Sequence, residues 1–496
     1  MTVPFKTVPQ NLRAPLFYAE LDNSKANSGA GTQRALIIGQ VTSAGSAVPN
    51  TPQISQGPTE AKSVGGPGSM LALMTAAYRA GDPFGEVWYL PLADGQSSVA
   101  AAGSVAFTAA ATATGVLFLY IAGTLVTMTV SSTQTVAQLA TALAAAINAN
   151  SDLPVTAAVD GTTTSKVNVT AKNKGLAGND IDLQLNYRGA ASGEATPPGL
   201  AVTITQMSGG LVNPDLTTAL ANLLDKEFDF IAFPYTDMAS LDAMKSFLSS
   251  TTGRWSWSKQ LYGGAYGAKR GTLGDLTTFG DARNDEHMSI MGFSGSPTPS
   301  WIWAANIAAV VAVSARADAA LPLQTLALTA VLAPPLTSRF ALEDRNVLLW
   351  DGVSTFTVAA DGTVQIENLI TTYRLNSFGQ PDDSYLQVET LLTIQFVLRE
   401  LKADITSKYS RVKLADNGTR FAPGSAIVTP NTIRGSQIAK YQDLEYRGYV
   451  QKSDVFAKSI IVEKNRLNPN RVDVLYPATL INQLRIFALL FQFSNQ

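Results

Sequence analysis

Few residues of this sequence could carry out catalysis. The chain of 496 residues contains one histidine and no cysteine, which excludes thiol catalysis, disulfide scaffolds and thiolate zinc sites. A Ser–His–Asp triad would have to use His287, but the chain has no G-x-S-x-G motif to present the serine. We therefore interpret His287, at the start of the predicted strand HMSIMGF, as a structural residue.

Motifs that bind phosphates or metals are also missing. Neither G-x-x-x-x-G-K-[ST] nor G-x-G-x-x-G after the first predicted strand occurs. Gly65–Gly68 precedes a predicted helix, but its spacing matches neither motif and its proline removes a donor, so a plain loop fits better. Asp382 and Asp383 could bind a hard cation, although capping of the next helix suits them better. We predict no catalytic, cofactor-binding or metal-binding residue, and hence no enzyme and no cofactor.

Charged residues are scarce. They make up 15% of the chain, against about 25% in ordinary soluble domains, and 36 basic and 38 acidic residues leave a net charge of −2. This balance argues against a protein that coats nucleic acid or an anionic membrane. A surface with few charges favours contacts between copies of the chain, while a monomer rich in Ala, Thr and Gly remains the alternative.

From residue 34 onward, short apolar strands alternate with amphipathic helices. Such alternation predicts crossover connections and a mainly parallel sheet. The predicted strands are Arg34–Val41, Glu86–Leu92, Asp229–Tyr235, Lys259–Gly267 and His287–Phe293, and the predicted helices are Ser69–Ala80, Met238–Ser249, Leu273–Arg283 and Trp301–Ala320.

Residues 100–210 interrupt this alternation. Gly115–Val130 predicts a hairpin that turns at Ala122 and Gly123, and Val136–Ala149 predicts an Ala-rich amphipathic helix. Further stretches alternate apolar and polar residues, as half-buried strands do. We predict a separate β-rich domain inserted into a loop of the α/β domain.

No segment reads as a targeting or membrane sequence. The N-terminus has no apolar run long enough for a signal peptide, so we expect folding in the cytoplasm. Trp301–Ala320 has the length of a membrane span but carries Asn306, Arg316 and Asp318, and Arg and Asp are each costly near the bilayer centre. We predict a buried or interface helix there.

Both ends of the chain are apolar and extended. Residues 1–22 contain three prolines, which disfavour a helix, and four residues too apolar for a solvated tail: Leu16, Phe17, Tyr18 and Leu21. In residues 481–496 a strand would place Ile486, Ala488 and Leu490 on one face, and Phe487, Leu489, Phe491 and Phe493 on the other. Such a strand has to be buried on both faces. Each end could add a strand to a neighbour's sheet or pack on its own domain.

The region before the C-terminal end is basic. Tyr385–Lys408 predicts one long helix, with apolar residues at helical spacing. Residues 399–471 hold fourteen basic and seven acidic residues, a local net charge of +7. Without a nucleic-acid-binding signature, docking on an acidic protein surface is the better use of this charge.

Several long stretches resemble one family. Residues 362–418 (GTVQIENLITTYRLNSFGQPDDSYLQVETLLTIQFVLRELKADITSKYSRVKLADNG), 426–445 (AIVTPNTIRGSQIAKYQDLE) and 468–493 (NPNRVDVLYPATLINQLRIFALLFQF) look like the C-terminal domain of Mu-like contractile phage tail sheath proteins. The opening NLRAPLFYAELDNS at 11–24, followed by ALIIGQ at 35–40, is similar to that family's start. The resemblance spans nearly the whole chain and is weakest in the 100–210 insertion.

The resemblance implies a structural subunit. Sheath subunits polymerise as stacked hexameric rings around a tail tube, and their contraction drives the tube through the host envelope. The implied partners are copies of the chain, the tail tube protein, and baseplate and tail terminator proteins, with no direct nucleic acid and no stable membrane insertion. The implied location is the virion tail, assembled in the host cytoplasm.

The resemblance also implies a division of the chain. Its parts are an N-terminal arm (1–22), a discontinuous α/β domain that is subtilisin-like without protease activity (23–99 and 211–375), an inserted β-rich outer domain (100–210), a tube-facing α+β domain (376–480) and a C-terminal arm strand (481–496). The arms exchange strands between subunits.

Two sets of site residues follow. The predicted subunit interface comprises Leu16, Phe17, Tyr18, Leu21, Ile486, Phe487, Leu489, Phe491 and Phe493, and the candidates for facing the tube are Lys440, Arg447 and Lys452. Two alternatives remain: an enzyme that binds a nucleotide or small molecule at the sheet's carboxyl edge, and a non-contractile lattice protein.

Overall fold

The structure, a computed structural model, describes residues 33–495. These residues divide into two compact units. The larger comprises residues 33–396, 447–451 and 479–495, and the smaller comprises residues 397–446 and 452–478. The N-terminal arm predicted at residues 1–22 lies outside the described residues.

The first part of the larger unit alternates strands and helices. Its elements are β1 (Arg34–Gln40), β2 (Gln53–Ile54), α1 (Pro58–Gly65), α2 (Met70–Gly81) and β3 (Glu86–Leu92). The hydroxyl of Ser69 caps α2 by accepting a hydrogen bond from the amide of Ala72 at 3.2 Å, and Asn173 Oδ1 accepts from the amide of Met70 at 2.9 Å. These amides are satisfied within the chain, so the glycine-rich loop before α2 has a structural role.

Residues 102–208 form two antiparallel sheets and a helix. The elements are β4 (Ala102–Ala109), β5 (Gly115–Ile121), β6 (Thr124–Val130), α3 (Val136–Ala149), β7 (Val155–Val159), β8 (Lys166–Ala171), β9 (Leu183–Leu185) and β10 (Ala201–Ser208). The sheet orders are β10-β4-β8-β7 and β6-β5-β9. The predicted hairpin is present, and Ala122 and Gly123 turn it with φ of 51° and 79°. Helix α3 has the predicted bounds and begins with a capping box made by Thr135 and Gln138.

The rest of the larger unit resumes the alternation. Its elements are α4 (Thr217–Ala221), β11 (Phe230–Ala232), α5 (Met238–Leu248), β12 (Gly264–Arg270), α6 (Leu273–Asp281), β13 (Met288–Phe293), α7 (Ser300–Ala317), α8 (Leu342–Trp350), β14 (Thr355–Val358) and β15 (Val364–Asn368).

Six strands form the central sheet in the order β13-β12-β11-β1-β3-β2. Four of its five pairings are parallel, and only the two-residue edge strand β2 is antiparallel to its neighbour. The mixed α/β fold expected from the alternation is confirmed. The strand predicted at Lys259–Gly267 was placed too early: Gln260 has a positive φ of 53°, and pairing starts where Gly264 lies opposite Phe230.

Helix α7 lies in the core of the larger unit. It is long and apolar enough to cross a membrane, but 72% of it is buried inside the protein, as predicted for a core helix. Trp303 stacks on Phe293 with ring centroids 4.7 Å apart. The side-chain amide of Asn306 donates a hydrogen bond to the carbonyl of Ala77 at 3.0 Å and thereby links α7 to α2.

The remaining elements complete both units. They are α9 (Val388–Tyr409), β16 (Lys413–Leu414), β17 (Ile427–Val428), α10 (Pro430–Tyr446), β18 (Val450–Gln451), α11 (Ser453–Ser459), β19 (Ile461–Lys464), β20 (Val472–Leu475) and β21 (Thr479–Leu480). In the smaller unit, the ring of Tyr441 stacks on that of Phe456 at 3.8 Å, and both side chains are fully buried.

The prediction that Asp382 caps the long helix is wrong. Helix α9 begins six residues later, at Val388. The carboxylate of Asp382 instead accepts hydrogen bonds from Tyr373 at 2.7 Å and from Ser384 at 2.5 Å. These hydrogen bonds hold the pKa of Asp382 below its ordinary value.

Candidate assembly interface

The last described residues leave the larger unit in two stages. We call residues 479–485 the root and residues 486–495 the terminal segment. In the root, β21 pairs antiparallel with β18, and the amide of Ile481 donates to the carbonyl of Tyr449 at 3.1 Å. The root therefore belongs to the larger unit by main-chain hydrogen bonds.

A buried ion pair ends the root. The guanidinium of Arg485 lies 2.6 Å from the carboxylate of Glu389, whose side chain is 0% exposed. A second guanidinium nitrogen of Arg485 donates to Asn368 Oδ1 at 2.9 Å. One side chain thus joins the first turn of α9, the end of β15 and the C-terminal chain.

Beyond Arg485 the apolar side chains face solvent. Six large side chains are 73–85% exposed: Ile486, Phe487, Leu489, Leu490, Phe491 and Phe493. Within residues 33–495, the terminal segment forms no hydrogen bond with the rest of the chain. Fully burying one such side chain is worth about 1.5–3 kcal/mol. Six together amount to on the order of 10 kcal/mol before the costs of association.

The predicted C-terminal strand is not formed in a single subunit. Residues 481–495 pair with no other described strand, and none of the five predicted interface residues from Ile486 to Phe493 is buried. Burial on both faces therefore remains a prediction for an assembled state. The other four predicted interface residues, Leu16, Phe17, Tyr18 and Leu21, lie outside the described residues.

A small hairpin in the smaller unit has exposed apolar residues. Strands β19 and β20 pair antiparallel, and Ile461 and Leu475 lie opposite each other, both more than half exposed. Among the described residues, no third strand pairs with this hairpin. The hairpin packs on α10 through β19, and its edges are unpaired within the described residues, so a further strand could be added there.

Lys440 fits the predicted tube-facing role poorly. Its ammonium lies 2.7 Å from the carboxylate of Glu400 and 3.0 Å from that of Asp443, and its side chain is mostly buried. Burial by itself lowers the pKa of Lys440, but the two carboxylates outweigh it and raise the pKa above its ordinary value. The charge of Lys440 is therefore neutralised within its own unit.

The other two tube-facing candidates are exposed. The guanidinium of Arg447, in the larger unit, lies 5.1 Å from the ring centroid of Phe396 and 5.5 Å from that of Tyr449. Lys452, in the smaller unit, precedes α11 with a left-handed backbone (φ 62°, ψ 49°) and forms no ion pair with the described residues. Its charge is available to a partner.

Three exposed basic residues were not singled out from the sequence. Arg411, Lys413 and Arg420 lie at the start of β16 and in the loop before β17, and they form no ion pair with any residue in the range 33–495. The net charge of this region was visible in the sequence. Which residues are neutralised was not, because that depends on partners far along the chain.

The cluster around His287 lacks the geometry of a catalytic triad. The imidazole stacks on Trp255 with centroids 4.3 Å apart, and its Nε2 faces both Ser250 Oγ at 3.0 Å and the carboxylate of Glu286 at 3.1 Å. In a triad the acid would contact Nδ1 and leave Nε2 to the serine. Here Nδ1 has no partner among the described groups.

No described part of the chain offers a metal site. Residues 33–495 contain no group of three or more His, Asp or Glu side chains that could hold an ion. The described residues offer three features suited to association: an apolar terminal segment, a hairpin with unpaired edges and exposed basic side chains without ion pairs.

Comparison with known proteins relates most of the sequence to one protein family. The family model for the phage tail sheath protein central domain matches residues 209–372, and that for the phage tail sheath C-terminal domain matches residues 380–494. The Mu-like prophage FluMu tail sheath protein of Haemophilus influenzae is 41% identical over 495 residues, which cover 99% of this chain and 100% of the relative.

Solved structures of low sequence identity are also similar. The sheath tail protein of Desulfitobacterium hafniense is 12% identical, with a TM-score of 0.48. The superposition covers 95% of this chain and 97% of that chain. The corresponding protein of Listeria innocua is 14% identical, with a TM-score of 0.45 and coverage of 92% and 94%.

Proposed function

The chain belongs to the phage tail sheath protein family and is a structural component of a phage tail, not an enzyme; from this membership we propose how it assembles and acts. Subunits polymerise as hexameric rings stacked helically around the tail tube. The assembled sheath contracts and drives the tube through the host envelope. The terminal arms keep neighbouring subunits joined during this movement.

The exposed terminal segment is the observation that carries this proposal. The exposure of six large apolar side chains to water is unfavourable for a single subunit. A strand formed by these residues would be apolar on both faces, which is typical of a strand that is buried on both faces. A strand added to a neighbour's sheet satisfies both needs, because main-chain hydrogen bonds provide affinity and alternate side chains fix the register.

The hairpin of β19 and β20 is the proposed acceptor. It has free edges and two exposed apolar residues, Ile461 and Leu475, on one face. A strand from another subunit would extend it beyond two strands and place its own apolar side chains beside Ile461 and Leu475 on this face. Because the acceptor and the terminal segment of one subunit would serve different neighbours, the contact propagates through a lattice instead of closing a dimer.

The tube-facing surface uses exposed basic residues of the C-terminal third. Lys440 is the weakest of the predicted candidates because two carboxylates already neutralise it, so Lys452, Arg411, Lys413 and Arg420 of the smaller unit are better ones. Arg447, in the larger unit, is a separate candidate. Exposed ion pairs contribute only about 0–1 kcal/mol each. Such weak contacts suit a surface that has to release the tube during contraction.

The wider setting follows from the same proposal. The sheath extends between a baseplate and a tail terminator and is assembled in the host cytoplasm. It binds no cofactor, contacts no nucleic acid directly and does not insert stably into a membrane. Contraction is a rigid-body rearrangement of subunit interfaces, with the linkers to the arms as hinges.

Electron microscopy of a truncated chain tests the assembly mechanism. We expect the full-length protein to form hollow striated tubes, and a chain that ends at Arg485 to stay folded and unpolymerised. Ending the chain at this residue retains the partner of the buried Glu389, so the truncation removes only the terminal segment.

Circular dichroism and gel filtration provide the control for folding. Tubes formed by the truncated chain would disprove the role of the terminal segment. Small globular particles from the full-length chain under all assembly conditions would disprove the polymer itself.

A further inference from the structure

Arg485 is the last residue that ties the C-terminal chain to its own subunit. Before it, the side-chain amide of Gln483 donates a hydrogen bond to the carbonyl of Ala320 at 3.4 Å. The side-chain amide of Gln324 donates one to the carbonyl of Leu484, also at 3.4 Å. These two contacts are long and weak. The ion pair with Glu389, at 2.6 Å, is the shortest contact near the end of the root.

Glu389 needs Arg485 as its partner. One carboxylate oxygen accepts a hydrogen bond from the amide of Leu323 at 2.6 Å, and the other contacts Arg485. The side chain has no exposure to water, and burial together with the charges of Glu389 and Asp229 raises the pKa of the nearby Tyr266. Without Arg485, a buried negative charge would remain uncompensated.

The change at Arg485 is abrupt. Its own side chain is 16% exposed, while the next residue, Ile486, is 85% exposed. In the described chain, hydrogen bonds reach residue 485 and none reaches residue 486 or beyond. The boundary between a fixed chain and a free chain therefore lies at one peptide bond.

We infer that Arg485 is a positioning residue that clamps the root to its own subunit and sets where the terminal segment begins. This inference rests on the proposed strand exchange. The clamp keeps residues 479–485 with the larger unit, and only the chain beyond it is delivered to a neighbour. A fixed starting point determines the register in which Phe487, Leu489 and Phe491 meet the acceptor, because a slip of one residue reverses the two faces.

Hydrogen exchange on full-length subunits measures the clamp directly. Arg485→Ala, Arg485→Lys and Glu389→Gln are compared in a Phe487→Ser/Phe491→Ser chain, which we expect to stay unpolymerised because two of its exposed apolar side chains are replaced. We expect Arg485→Ala to make the Ile481 amide exchange at least roughly tenfold faster, and Arg485→Lys to restore most of the protection. Amides of β12 and α7 should keep their protection in all variants.

Arg471→Ala is the matched control. Arg471 also pairs with a carboxylate, Asp473 at 2.5 Å, but its side chain is exposed, so its loss should leave exchange at Ile481 unchanged. If Arg485→Ala fails to fold, Glu389→Gln serves in its place: it removes the negative charge while keeping an acceptor for Leu323, and should loosen the root in the same way.

Assembly by otherwise unaltered chains completes the test. We expect Arg485→Ala to form fewer and irregular tubes, and Arg485→Lys to form ordered ones. Unchanged exchange at Ile481, or ordered tubes from Arg485→Ala at the normal yield, would overturn the clamp and leave the proposed function intact. If the unaltered chain forms no tubes, the proposed function fails, and the exchange data still decide whether Arg485 holds the root.

Discussion

At the scale of single residues, buried charges in this protein serve structure. Asp82 accepts two hydrogen bonds from Arg316, at 3.1 and 2.5 Å, and further ones from Tyr78 and the amide of Gly85. His287 is likewise held by stacking on Trp255. Each group is fixed by several partners within the fold: Asp82 by Arg316, Tyr78 and Gly85, and His287 by Trp255, Ser250 and Glu286.

Neutralising Asp82 tests the strongest of these clusters. Burial alone raises the pKa of Asp82, but the hydrogen bonds from Arg316, Tyr78 and Gly85 outweigh it and bring the pKa below its ordinary value. We expect Asp82→Asn to lower the free energy of unfolding at pH 7 by about 3 kcal/mol, because it leaves the guanidinium of Arg316 unpaired. Urea denaturation of unpolymerised protein measures this loss.

The loss should depend on pH in a defined direction. A carboxyl whose pKa is lower in the folded protein stabilises it fully above the unfolded value, near 3.9, and progressively less as the pH falls through the folded value. The difference between the unaltered chain and Asp82→Asn should therefore shrink below about pH 4. Glu463→Gln, on an exposed side chain, is the control, and a difference that grows with acid would contradict the assignment.

At the scale of elements, close packing between strands and helices holds the α/β part together. Strand β1 pairs in parallel with both β3 and β11, and helix α2 lies against β1. The approach is close because Gly39 has no side chain: a Cβ added there would lie 2.9 Å from Leu71 Cα in α2. A small residue in the middle strand thus determines how near the helix can lie.

Adding a methyl group at this contact should separate the two elements. We expect Gly39→Ala to destabilise the protein by about 1–3 kcal/mol, the usual cost of overpacking, because the two nearest atoms that the methyl meets are backbone atoms of Leu71. Thermal unfolding measures the effect. Gly161→Ala is the matched control, since nothing lies within 4 Å of its added Cβ. Equal melting temperatures for the two variants would contradict this expectation, because α2 would then move away from β1 without a measurable loss of stability.

At the scale of the whole molecule, the single chain leaves one long apolar segment exposed. The core of the larger unit is well buried, whereas the terminal segment exposes almost all of its apolar surface. A soluble monomer normally avoids a contiguous exposed apolar stretch of this kind. In the proposed polymer this surface becomes buried, and assembly and the folding of the last residues would then be one event.

Polar substitutions in the terminal segment should therefore separate assembly from stability. We expect Phe487→Ser/Phe491→Ser to abolish tubes while leaving the unfolding of single subunits unchanged, since both rings are 75–80% exposed. Phe84→Ser is the control: Phe84 is 96% exposed in a loop of the larger unit, and its loss should leave tube formation intact. Tubes from the double variant, seen by negative-stain microscopy, would contradict the proposed strand exchange.

Local patterns in the sequence were enough to predict many elements. Strand β3 and helix α3 have the predicted bounds, because alternation, helical spacing and a capping residue act within a few positions of the chain. The apolar alternation of residues 486–493 and the excess of basic residues in 399–471 are likewise properties of the sequence alone. So is the resemblance to sheath proteins, which the 41% identical relative confirms.

Other properties were decided only by contacts between distant positions. The start of β12 depends on pairing with β11, and the neutral environment of Lys440 depends on Glu400, forty residues earlier. The pairing of Arg485 with Glu389 joins residues almost a hundred positions apart and separates the root from the terminal segment. Sequence patterns report which side chains prefer burial or charge, but a partner is determined by where the folded chain places it, because electrostatic and packing energies depend on distance in space.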